Sequence, residues 1–173
     1  MAFFERGQPA RDGIVDVVAH LMECVILIGL PASGKTTFYQ ARFAGTHDYI
    51  SKDQMRNVGQ PERRQAQRLG ESLANGRSVV VDNTNPSNAI RAPLVAAAHA
   101  HGAEAIAYFF PTEARDALRR NRLREGRARV PDVAIFTTRK RLEPPTYAEG
   151  FDRIYLVSLV EPEQRFDVHL LPR

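Results

Sequence analysis

Residues 29–36 read Gly-Leu-Pro-Ala-Ser-Gly-Lys-Thr and follow directly on the apolar run Cys24-Val25-Ile26-Leu27-Ile28. A G-x-x-x-x-G-K-[ST] string between a strand-like segment and a helix-like one (Thr36–Phe43) constrains the fold more than any other feature of this chain. The glycines let the backbone curl until successive N–H groups point inward, and the helix that follows presents its positive end to the same space. Such a loop grips the phosphates of a nucleoside triphosphate; the competing reading is a Gly-rich turn between two elements. Gly29, Ala32, Ser33, Gly34, Lys35, Thr36 and Thr37 are therefore the expected nucleotide contacts, with Lys35 reaching the β- and γ-phosphates and Thr36 holding Mg²⁺.

A chain of 173 residues suffices for one domain with a full core. Its 43% apolar and 25% charged residues are those of a globular protein rather than a disordered or fibrous one. Cys24 is the single cysteine, which excludes an internal disulfide or a cysteine metal cluster, and the five histidines are scattered. No apolar stretch approaches the ~20 residues of a membrane span, so a cytoplasmic protein is expected. Residues 1–21 lack the apolar core of a secretory signal and are expected to form an extension that the fold does not need. Basic residues outnumber acidic ones 24 to 20, and only Lys35, Lys52 and Lys140 are lysines. That balance suits phosphate-rich partners.

Apolar runs alternate with helix-like stretches, which predicts an α/β fold, a three-layer P-loop NTPase sandwich around a mainly parallel sheet. Strands are expected near 23–28, 48–50, 78–82, 104–110 and 153–159, and helices over about 35–44, 61–75, 86–101, 112–124 and 132–142. Gly76 and Gly102 stand where helices should stop, and Pro61, Pro86 and Pro131 where helices should begin. The domain is expected over 22–160, with a lid at about 120–131 and a tail over 161–173.

Ligands of such sheets gather at the carboxyl ends of the strands, which selects 29–36, Ser51–Arg56 and Asp82–Asn85. Asp82 ends the strand Val79-Val80-Val81 and is the second candidate for the metal side; alternatively, Asp82 and Asn85 cap the helix near Pro86. Asn83 stands where a hydrolysing ATPase commonly has a second carboxylate, so transfer rather than hydrolysis is expected. Asp53 is the candidate general base for an acceptor hydroxyl, or else the cap of a short helix starting at Gln54. Arg56, three residues on, is placed to hold an acceptor phosphate, with Asn83 and Asn85 as further acceptor contacts. Arg115, Arg119, Arg120, Arg122, Arg124, Arg127 and Arg129 crowd one helix and its following turn, either as a lid over the triphosphate or as a solvated face.

The phosphate loop, Lys52-Asp53, the string Val79–Pro86 and the string Glu143-Pro144-Pro145-Thr146-Tyr147-Ala148-Glu149-Gly150-Phe151 resemble the kinase domain of polynucleotide 5′-hydroxyl kinases. The resemblance spans about residues 23–160. It implies five strands in the order 2-3-1-4-5 and a catalytic set of Lys35, Thr36, Asp53 and a lid arginine. Arg124 matches the family's transition-state arginine, Arg120 lies one helical turn before it, and Arg56 is assigned to the acceptor phosphate. No Asp-x-Asp phosphatase motif accompanies these strings. The expected activity is Mg²⁺- and ATP-dependent transfer of the γ-phosphate to a hydroxyl, that of a nucleic-acid 5′ end in the first reading. A small-metabolite or nucleotide kinase and a non-catalytic ATP-binding switch are the alternatives. ATP is preferred over GTP because no Asn-Lys-x-Asp string occurs.

Overall fold

The computed structural model describes residues 21–55, 59–162 and 165–173. Five parallel strands form most of one sheet: β1 (Glu23–Gly29), β2 (Asp48–Ile50), β3 (Val79–Asp82), β4 (Glu104–Phe110) and β5 (Arg153–Val160). A sixth, β6 (Arg165–Leu170), adds antiparallel to β5, giving the order β2-β3-β1-β4-β5-β6. The expected order 2-3-1-4-5 is thus met within a larger sheet. Segment 161–173, read as a tail, contributes this edge strand instead.

β1 is central, pairing Val25 with Val80 on one side and with Ile106 on the other. Residues 24–29 are all buried, as a strand covered on both faces requires. The period of two splits them: Cys24, Ile26 and Ile28 enter one core cluster, Val25 and Leu27 the other. The first cluster lies under α2 (Pro61–Ala74) and α3 (Asn88–Ala100), through Leu69, Leu73, Leu94 and Val95. The second lies under α1 (Lys35–Arg42), where Phe38 is ringed by Phe43, Tyr108, Phe110 and Phe166 at centroid distances of 5.2–5.8 Å. Pro61 opens α2, and Gly76, at φ 72°, follows its end where only glycine is unstrained.

The expected 112–124 helix is shorter, α4 (Ala114–Arg122). A turn then leads to α5 (Asp132–Arg141), and Ala117 and Ile135 pack these two helices over Leu30 of the phosphate loop. Among the described residues no helix is long and apolar enough to cross a membrane.

Candidate active site

Gly29 closes β1 at a point where a Cβ would lie 3.0 Å from both Cβ and O of Phe110, so any side chain there would push the loop off the sheet. Ala32 and Gly34 take positive φ values of 60° and 98°, the reversals that curl the backbone amides inward. α1 begins at Lys35. The Lys35 ammonium donates to Gly29 O at 3.1 Å, Leu30 O at 2.6 Å and Ser33 Oγ at 3.2 Å, and so lies folded against its own loop. Burial pulls its pKa down to about 8; the charges of Asp82 and Asp53 oppose that and Arg124 adds to it. All four groups therefore sit within electrostatic reach of one another.

Thr36 Oγ1 donates to Asp82 Oδ2 at 2.6 Å. The same carboxylate oxygen accepts from Tyr49 OH at 2.8 Å. Burial first, then the charge of Asp82, pushes the Tyr49 pKa well up, so the phenol stays a donor at neutral pH. A hydroxyl and a carboxylate meeting at the end of a phosphate loop are the hard oxygen donors that Mg²⁺ takes, usually with several waters retained. Thr36 and Asp82 therefore fit that ion. The capping alternative does not hold: the residue before α3 is Ser87, and neither Asp82 nor Asn85 caps that helix.

Asp53 lies in a short 3-10 turn, Lys52–Met55, and faces the same cavity as Lys35 and Asp82. That turn starts at Lys52, so Asp53 is inside it rather than capping a helix from Gln54. Asn83 fixes the turn: its Oδ1 accepts from Lys52 N at 2.9 Å, and its Nδ2 donates to Gln65 Oε1 at 2.7 Å. Asn85, at φ 41° and 2% exposed, donates to Leu27 O at 2.8 Å and to Val81 O at 3.4 Å. Both asparagines border the cavity, yet their amides are committed to holding the strand ends. Their amides hold the backbone around the site, at positions that also line the cavity. Arg56 lies outside the described residues.

The segment after α4 brings Arg124, Arg127 and Val130 to the wall of the cavity, whose volume is about 560 Å³. Half-burial lowers the Arg124 pKa against the pull of Asp82 and Asp53. Arg120 stands at the rim: its Nη1 donates to Ala32 O at 3.4 Å and its Nε to Glu161 Oε1 at 3.0 Å. Arg115, Arg119, Arg122 and Arg129 are exposed, whereas Arg124 is partly buried and lines the cavity. Asn121, which sequence reasoning passed over, is fully buried and holds the turn through Val130 N and O. A lone amide among seven arginines was the available signal. Tyr49 and Gln65 had none, because their partners are set by strand pairing and helix packing.

A family model described as an AAA domain matches residues 24–145. This chain belongs to that AAA domain family. A protein of Acanthamoeba polyphaga mimivirus named as a bifunctional polynucleotide phosphatase/kinase is 30% identical over 155 residues, covering 84% of this chain and 35% of that protein. The bifunctional polynucleotide phosphatase/kinase of Schizosaccharomyces pombe is 26% identical over 135 residues, covering 76% and 32%. The chain thus spans about a third of the length of these curated relatives. Among solved structures, a gluconokinase from Sinorhizobium meliloti aligns with a TM-score of 0.60 at 20% identity, covering 82% of this chain and 85% of that one. The fold is that of P-loop kinases, and the resemblance to polynucleotide kinases read from the motif strings stands.

Proposed function

We propose that this chain is a Mg²⁺- and ATP-dependent phosphotransferase that moves the γ-phosphate to a hydroxyl, the 5′-hydroxyl of a nucleic acid. The observation that carries this reading is the convergence of Lys35, Asp82, Asp53 and Arg124 on one cavity at the carboxyl ends of the strands. Loop amides and Lys35 hold the β- and γ-phosphates. Thr36 and Asp82 hold Mg²⁺, which when bound offsets charge on the phosphate oxygens. Asp53 takes the proton of the acceptor hydroxyl as its oxygen bonds to the γ-phosphorus; the bond from that phosphorus to the β,γ-bridging oxygen breaks and ADP leaves. Arg124 neutralises charge on the transferred group, and Arg120 steadies the loop rim. Phosphoryl transfer depends mostly on such positioning and charge compensation.

The nucleic-acid acceptor draws support from the two polynucleotide phosphatase/kinase relatives, and Arg56 would hold its phosphate. A small hydroxylated acceptor is the second reading, favoured by the shared fold of the gluconokinase, a sugar-acid kinase by its name. The test is transfer of labelled γ-phosphate to 5′-hydroxyl DNA and RNA oligonucleotides and to sugar acids, with Lys35→Ala as the blank. Labelled oligonucleotide is expected. Tight ATP binding with no labelled oligonucleotide would overturn the nucleic-acid acceptor. Asp53→Asn should lower kcat by about 10²–10⁴-fold while leaving ATP affinity within a few fold.

A further inference from the structure

Between the metal-side pair and the candidate base runs a line of hydroxyls that the transfer step above leaves unused. Tyr49 OH donates to Asp82 Oδ2 at 2.8 Å, beside the 2.6 Å bond from Thr36 to the same oxygen. The Ser51 side chain lies close to the same phenol, and Ser51 Oγ accepts from Asp53 N at 3.3 Å. Ser51 is 3% exposed, so little water is available to replace these partners. The Tyr49 ring is held by Tyr39, whose centroid is 4.4 Å away. β2 is three residues long and ends at Ile50, which pairs with Val81; that register brings Tyr49 alongside the end of β3.

We propose that Tyr49 is a positioning residue coupling the two halves of the reaction centre: it orients Asp82 toward the magnesium side and, through Ser51, steadies the turn that carries Asp53. The inference rests on the phosphotransferase reading. In that role the phenol donates its hydrogen bond to Asp82 and turns its lone pairs to the neighbouring Ser51 hydroxyl. A carboxylate oxygen with two donors is confined to one orientation; with Thr36 alone it can swing. Groups that orient metal-site residues in this way typically contribute roughly 10–100-fold to metal affinity or activity. Phenylalanine would keep the ring contact with Tyr39 and remove the bond to Asp82 with the contact to Ser51, whereas Ser51→Ala would cut only the branch toward Asp53.

The experiment titrates Mg²⁺ into Tyr49→Phe, Ser51→Ala and the unaltered chain with a fluorescent non-hydrolysable ATP analogue, and measures kcat at saturating Mg²⁺ separately. Tyr49→Phe should raise the half-saturating Mg²⁺ concentration about tenfold, leave analogue affinity in EDTA unchanged and lower kcat. Ser51→Ala should lower kcat with the Mg²⁺ midpoint unmoved. Because the titration needs no acceptor, a failed search for one would sink the transfer reading and leave this readout standing. An unmoved Mg²⁺ midpoint in Tyr49→Phe, or weaker binding in EDTA in step with a lower melting temperature, would overturn the coupling role. Should Tyr49→Phe fail to fold, its hydroxyl is structural and the proposal falls; an undiminished kcat in Ser51→Ala would also overturn it.

Discussion

Lys35 carries the sharpest consequence at the scale of single residues. Its ammonium is buried among three acceptors of its own loop, and its pKa is lowered to about 8. A bound triphosphate surrounds the same group with negative charge and must raise that value. The sign follows: binding is at full strength below the lower, nucleotide-free pKa, and weakens as pH rises through it because a proton must then be taken up. ATP affinity should therefore be flat from about pH 7 to 8 and fall by up to tenfold per pH unit above it, with proton uptake visible by calorimetry in buffers of different ionisation heat. Lys35→Met should bind weakly and lose the slope. Lys35, Thr36, Asp53 and Asp82 were legible in the sequence because each is fixed by neighbours a few residues away. Tyr49, Gln65 and Asn121 were not, since each acts through a partner brought in by tertiary packing. Asn83 and Asn85 show the reverse: the string marked them as special, and the structure shows that their amides hold the backbone.

Among the elements, the loop before β5 gives a physical meaning to the Pro-Thr-x-x-Glu-Gly-Phe string. Glu149, 5% exposed, receives Arg91 Nε and Nη2 at 2.7 Å each, and Arg91 is wholly buried on α3. Arg91 Nη1 also donates to Asn85 O at 3.1 Å and Glu143 O at 3.0 Å, so one guanidinium joins the strand-end turn to the loop at 143–149. The sequence showed the string but not its purpose, because Arg91 sits 58 residues away in a helix read only as a helix. Glu149→Ala would leave a buried cation without its counter-charge. A loss of about 3–5 kcal/mol in urea unfolding is expected. A loss under 1 kcal/mol would mean that water reaches the pair. β6 escaped notice for a related reason. Its alternation of Phe166, Val168 and Leu170 with Asp167 and His169 is only six residues long, and its role is set by β5, whose Leu159 pairs with Phe166. Phe166 then lies 3.4 Å from where a Cβ on Gly34 would stand, so this unforeseen strand backs the phosphate loop itself.

For the whole molecule, strand order and charge point the same way. β1 lies between β3 and β4, which opens a crevice at the carboxyl ends where the loop, Asp82 and Asp53 converge. The net charge of +4 comes from arginines, many exposed on α2 (Arg63, Arg64, Arg68) and on α4 and the turn after it (Arg115, Arg122, Arg127, Arg129). If those arginines track an acceptor backbone, salt must compete with them. Contacts to three phosphates of a single strand give a slope of about −2 in log(kcat/KM) against log[salt], so a fourfold rise in salt costs roughly 20-fold. The measurement is kcat/KM for a 12-nucleotide 5′-hydroxyl acceptor at saturating ATP, since ATP is itself an anion. A dinucleotide acceptor offers fewer phosphates and should show a shallower slope; a neutral hydroxylated acceptor should show almost none. Equal slopes for the 12-mer and the dinucleotide would confine recognition to the first nucleotide, in which case the outer arginines are solvated surface and the +4 carries no information about the acceptor.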